Sequence, residues 1–203
     1  MCAVVGYIGE YDDEIVHALL RNSRIRGLHG FGYTIYDKAT DTFDTQKFNR
    51  FGDFVGSLTS KRPTVFIAHI RYSTSGSPDD LNTNQPLTNG RNFLAFNGVI
   101  SQLSIQEMRE TFDCEIPHEN DGYILMDKWN DETFLRNPAI SYAALLLTDN
   151  TLTALRNENR PLYQATGVTQ TIFASTQDIL SRSNLTGIQL KPHVKHNVSF
   201  NIH

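Results

Sequence analysis

The chain opens on a strand, and strands recur to its far end. Residues 2–8, Cys2-Ala3-Val4-Val5-Gly6-Tyr7-Ile8, are small, β-branched or aromatic and stop at Gly9, the pattern of a buried strand closed by a turn. Residues 31–37 and 42–48 read as paired strands joined through Lys38-Ala39-Thr40-Asp41, and 64–72 as a central strand. Another is expected at 93–96, broken at Asn97-Gly98, a pair common in hairpin turns. Further strands follow near 140–148, 151–157, 170–175 and 188–202. Helical spacing fills the gaps. One helix runs from a cap at Asp12 or Asp13 to about Arg24, with Ile15, Val16, Leu19 and Leu20 on its apolar side; others are expected near 53–60, 104–112, 121–130 and 177–182. Strand hairpins at both ends with helices between them predict an α+β layered domain and not a doubly wound parallel sheet. The polar stretch from Ser73 to Arg91 has the length of loops that usually carry function.

With 203 residues and no shift of composition along the chain, residues 1–203 are expected to form one domain. Eighteen Lys and Arg against 22 Asp and Glu give a net charge of −4 without a basic stripe, which argues against nucleic acid as a partner. The longest apolar runs, such as Ala143-Ala144-Leu145-Leu146-Leu147, fall far short of the roughly 20 residues that span a membrane. No basic stretch followed by an apolar core marks a secretory signal, and Cys2 and Cys114 make no disulfide framework. A reducing, cytoplasmic setting is expected.

Cys2 lies directly behind the initiator methionine. If Met1 is removed, one residue carries a thiol and a free α-amine, which titrate near ~8.5 and ~8 without tuning. The amine can take the thiol proton and later hand it to a leaving group, so one residue holds both nucleophile and base. Three further polar clusters fall at strand ends or in loops: Arg24-Ile25-Arg26-Gly27-Leu28-His29-Gly30; His69-Ile70-Arg71-Tyr72-Ser73-Thr74-Ser75-Gly76, leading on to Asn84-Gln85-Pro86; and Phe96-Asn97-Gly98.

Taken in order, these clusters resemble the class II glutamine amidotransferase domain, a branch of the N-terminal-nucleophile hydrolases. That family opens with Cys-Gly-Ile-Val-Gly and continues through an Arg-Gly-containing loop. It then carries His-x-Arg-Tyr-Ser-Thr-x-Gly, a Gln-Pro or similar pair, and an Asn-Gly. The third cluster is most similar to the amidophosphoribosyltransferase and glucosamine-phosphate synthase members, and the resemblance runs from Cys2 to about Leu185. It implies a four-layer αββα sandwich, with two mainly antiparallel sheets between helices and the 73–91 loop closing over the substrate. It implies that Cys2 attacks the side-chain amide of glutamine to give a γ-glutamyl thioester and ammonia, with Asn97 and Gly98 as the oxyanion hole. Arg71 would hold the substrate α-carboxylate with Thr74 beside it, Asp121 the α-ammonium, and Arg26 and Gly27 the N-terminus. No metal or cofactor is implied. The ammonia would pass to a separate synthase subunit; a stand-alone γ-glutamyl amide hydrolase and a non-catalytic glutamine-binding or regulatory module are the alternatives.

The chain departs from the family pattern at Ala3, usually Gly, at His29, often Asp, at Phe96, often His, and at Gly122-Tyr123, where Ser or Thr and then Glu are common. Read without the resemblance, Arg71 is equally a structural ion-pair partner. His69 reads as a satisfied core histidine, and His193, His196 and His203 as surface residues whose spacing does not suit a closed metal site. Cys114 reads as a small, partly buried hydrophobe, and Tyr123, Met126 and Trp129 as core.

Overall fold

A computed structural model describes residues 1–72 and 80–200. The first half runs β1 (Ala3–Gly9), α1 (Asp13–Ser23), a 3-10 turn (Arg24–Arg26), β2 (Gly30–Asp37), β3 (Thr42–Phe48), α2 (Phe51–Lys61), β4 (Val65–Arg71), a second 3-10 turn (Leu81–Thr83), β5 (Leu87–Thr88) and β6 (Phe93–Val99). The second half runs α3 (Ile105–Phe112), α4 (Gly122–Asp127), α5 (Glu132–Leu135), β7 (Ser141–Leu147), β8 (Thr151–Arg156), β9 (Tyr163–Thr166), β10 (Gln170–Ala174), α6 (Gln177–Arg182), β11 (Gly187–Gln189) and β12 (His196–Ser199). Helices α1, α3, α5 and α6 start where a side chain accepts from a first-turn amide. Asp12 accepts from Ile15 N at the head of α1, and Ser104 and Glu107 form a reciprocal capping box at α3.

All strand pairs are antiparallel. They make a seven-stranded sheet in the order β11-β9-β10-β1-β4-β2-β3 and a five-stranded sheet in the order β12-β8-β7-β6-β5. Alternation along the strands divides the core into layers. In β1, Ala3, Val5 and Tyr7 face α1, α2 and α6, whereas Val4 joins Ile67, Ala95, Ala143, Leu145 and Phe173 between the sheets. On the far side, Phe96, Tyr142, Ala144 and Leu146 pack under α3, α4 and α5, with Tyr123, Met126 and Trp129 buried among them. The result is helix, sheet, sheet, helix, the four-layer α+β sandwich expected. Among the described residues no helix is long and apolar enough to cross a membrane.

Three differences from the sequence expectations matter for the site. Asn97-Gly98 is not a turn, because β6 runs through both residues, with Asn97 opposite Ala143 and Gly98 opposite Tyr142. The stretch 188–202 is not one strand: β11 joins the larger sheet and β12 the smaller, and the segment between them crosses over. Residues 83–87 of the long polar stretch are buried, and they pack against the end of β4 rather than lying over it as part of a flap. Residues 73–79, which open that expected lid, lie outside the described residues, as does His203.

Candidate active site

Cys2 immediately precedes β1, a strand flanked on both sides by β10 and β4. Strand parity puts its side chain on the same face as Val4, into the gap between the sheets. There Tyr72 N donates to Cys2 Sγ at 3.4 Å. Burial pushes the thiol pKa up, while the bond from Tyr72 and the charges of the N-terminus, Arg71 and Arg26 pull it down. Met1 is in place, so the nitrogen of Cys2 is a peptide amide without basicity.

Cys2 is surrounded by residues from distant segments. Arg71 ends β4, two residues beyond His69, and is buried. Its Nη1 donates to Thr83 Oγ1 and Asn84 Oδ1, each at 2.8 Å. This explains why a polar segment is buried here: Thr83 and Asn84 supply the acceptors that a buried guanidinium requires. Asn120 ties the same segment to the site by donating from Nδ2 to Thr83 O at 2.9 Å. Gly27 is dictated by close approach, since a Cβ there would lie 2.5 Å from the carbonyl of Arg71. Arg26 Nε donates to Cys2 O at 3.1 Å.

On the opposing sheet, Asn97 is 4% exposed and its Nδ2 has no hydrogen-bond partner. Strand alternation turns the amides of Phe96, Gly98 and Ile100 to one edge of β6. Phe96 N donates to Gln85 Oε1 and Ile100 N to Asp121 Oδ2, each at 2.6 Å, so Gly98 N–H faces the interval between those acceptors. Gly98 admits no side chain, because a Cβ would stand 1.9 Å from Ser141 O. Asp121, at the head of α4, also accepts from Ser101 N at 3.1 Å, and burial raises its carboxyl pKa despite both bonds.

Cys2, Arg71, Gly98 and Asp121 line one small cavity of about 70 Å³, with His69 in its wall. A larger, open cavity of about 330 Å³ adjoins it and shares Gly98, Glu119, Asn120 and Asp121. The arrangement offers a thiol, a fixed guanidinium and a carboxyl group within one concavity, with the unpaired Asn97 amide next in sequence to Gly98 in its wall. Of the residues expected here, Thr74 lies outside the described residues.

His69 is buried as expected, but its ring nitrogens make no well-aligned hydrogen bond, the Phe96 backbone offering only a weak one. Burial and the nearby Arg71 and Lys47 charges push its pKa down to about 3, so the ring is neutral. His193 is not a plain surface residue either. Its ring is 11% exposed and Nε2 meets Glu158 at 2.7 Å, outside the Cys2 cavity. The family departures are absorbed locally. Ala3 faces the outer helices and does not crowd Cys2, while the ring of Phe96 lies 2.5 Å from where a Gly122 Cβ would stand. Phe96 thus takes the room that a side chain at residue 122 would need. The sequence alone assigned no role to Thr83, Asn120 or Arg160; the nearest signals were the Asn84-Gln85-Pro86 run beside Thr83 and Asp121 beside Asn120.

No family model matches the chain. Among curated proteins it is 27% identical over 172 residues to glutamine–fructose-6-phosphate aminotransferase (isomerizing) of Shouchella clausii (strain KSM-K16), covering 79% of this chain. The chain spans only 28% of that relative's length. Its structure superposes with a TM-score of 0.74 on glutamine phosphoribosylpyrophosphate amidotransferase from B. subtilis, solved with ADP and GMP, at 18% identity, covering all of this chain and 50% of that one. A glutamine aminotransferase class-II domain protein from Silicibacter pomeroyi matches with a TM-score of 0.62 at 14% identity, covering 98% of this chain and 100% of that one. In sequence and in its four-layer fold the chain is similar to the glutamine amidotransferase domains of these proteins.

Proposed function

We propose that the chain hydrolyses the side-chain amide of glutamine through Cys2, once removal of Met1 has freed its α-amine. The convergence of Cys2, Arg71, Gly98 and Asp121 on one cavity, beside the unpaired Asn97 amide, is the observation that carries this reading. The amine takes the thiol proton, and Sγ attacks the amide carbon of glutamine. Asn97 Nδ2 and Gly98 N–H stabilise the oxyanion, and a buried donor with no resting partner is already desolvated for that role. The carbon–nitrogen bond breaks as the α-ammonium protonates the leaving amine, which departs as ammonia. Water, deprotonated by the same amine, then cleaves the thioester to glutamate and free thiol.

Arg71 forks the substrate α-carboxylate and Asp121 holds the α-ammonium, a pairing that selects free glutamine over peptide-bound glutamine. Thr74 supports the carboxylate, and Arg26 and Gly27 hold the N-terminus. The S. clausii relative is named for transferring the nitrogen to a sugar phosphate, and most of its length lies outside the match. We infer that residues 1–203 act as a glutaminase unit whose ammonia passes to an acceptor synthase.

Intact mass before and after treatment with a diazo-ketone analogue of glutamine tests the reading. A Met1-free chain that gains one adduct, lost in Cys2→Ala, is the expected result. A Met1-free, folded chain that never labels, with or without an acceptor, overturns it.

A further inference from the structure

The thioether of Met1 sits between two guanidinium groups. Arg26 Nη2 points at Met1 Sδ from 3.8 Å and Arg160 Nη1 from 3.5 Å. Both cations are anchored from behind. Arg26 Nε is bonded to Cys2 O, and the backbone carbonyl of Arg160 accepts from Arg156 Nη1 at 3.0 Å. Among the described residues no carboxylate lies within ion-pair distance of either. Arg160 Nε is buried and unpaired, and the charge of Arg160 works against that of Arg26. A thioether is a weak acceptor. Two like charges converging on it are poorly satisfied, and no structural ion pair accounts for the placement.

We propose that loss of Met1 converts this fork into an oxyanion-binding site beside the N-terminus, for the carboxylate or phosphate group of a small ligand. The inference rests on the Met1 removal required by the function proposed above. Either group accepts charge-assisted, paired bonds from guanidinium donors, which sulfur cannot match. The site is separate from that of Arg71, whose Nη1 bonds Thr83 and Asn84. A ligand in the fork places negative charge next to the Cys2 α-amine and favours its ammonium form, which withholds the base. The charged and titratable groups facing that amine are Arg26 from the first 3-10 turn, Arg160 from the loop between β8 and β9, Arg71 and the Cys2 thiol, with Glu119 and Asp121 across the cavity. An oxyanion bound there is therefore an inhibitor of the thiol chemistry.

The test compares Met1-retaining and Met1-free chain, distinguished by intact mass. Each is titrated with inorganic phosphate and with succinate by calorimetry, and each is labelled separately with the diazo-ketone. One anion is expected to bind the Met1-free chain at least tenfold more tightly than the Met1-retaining chain, and the tighter of the two identifies the ligand group. Arg160→Gln is expected to lose that preference. The bound anion is also expected to move the acidic limb of the labelling-rate profile to higher pH. Equal binding to both forms, or none to the Met1-free chain, overturns the proposal without any substitution that might perturb folding. Labelling without anion binding removes the site and leaves the glutaminase; anion binding without labelling does the reverse.

Discussion

Truncating Asn97 to alanine separates the two roles that a buried amide can have. Losing one oxyanion donor typically costs about 3–4 kcal/mol of transition-state stabilisation, so kcat of the Met1-free chain should fall by about 10²–10³-fold. KM for glutamine should stay nearly constant, since the donor acts on charge that develops only in the transition state. Stability is expected to respond differently. Asn97 Nδ2 has no partner in the resting site, and an unsatisfied buried donor costs about 1–3 kcal/mol. Its removal offsets most of the packing lost between the sheets. For a chain of this size about 1 kcal/mol moves the melting temperature by 2–4 °C, so Asn97→Ala should melt within about 4 °C of the parent. Glutamate release against glutamine concentration, with a thermal melt on the same samples, measures both quantities. A kcat within threefold of the parent would show that Asn97 does not stabilise the oxyanion. A melting temperature lowered by more than about 10 °C would show that its amide is structural.

Asp121→Asn should raise KM for glutamine and also raise stability at pH 7. The raised carboxyl pKa means that the folded state binds the proton more tightly than the unfolded one. Parent stability therefore falls as pH rises through the folded pKa, and the advantage of the variant vanishes below the ordinary carboxylate range; urea midpoints across pH give the result. His69 has the opposite sign. Its folded pKa of about 3 lies below the unfolded value of ~6.5, so stability is lost as pH falls through that window, and His69→Gln should flatten the loss in the same titration. Gly98→Ala should fail as a fold before it fails as a catalyst, because the new Cβ meets Ser141 O at 1.9 Å; a melting temperature equal to the parent's would contradict that geometry.

Local signals placed most of the strands, because alternation and turn residues mark β1 to β4 without help from distant segments. Helices with strong caps were equally legible, α6 (Gln177–Arg182) among them. The failures have long-range causes. Asn97-Gly98 resembles a hairpin turn to any local rule, yet β7, more than 40 residues downstream, holds it extended. The 188–202 stretch looks continuous, but its two halves pair with strands of different sheets. Asn84 and Thr83 look like loop residues until Arg71 is found to need their oxygens. Cys2, Arg71, Gly98 and Asp121 were marked by motif and do meet at one cavity. Arg160 carried no signal, since only the folded chain brings it to Met1.

The position of β1 has a consequence for timing during synthesis. One neighbour, β4, closes by residue 71, but the other, β10, lies at residues 170–174, so the first strand cannot be sealed until most of the chain exists. At about 5–20 residues per second, the N-terminus spends some ten seconds or more as an unsealed end on the ribosome. Methionine removal can act on a flexible substrate throughout that interval. Under the function proposed above, the thiol and its base are then united before Arg71, Asn97 and Asp121 are sealed around them, and the nascent chain carries a processed nucleophile with no finished site in which to use it. Docking of β10 is then the event that locks the terminus and, under the same proposal, completes the site.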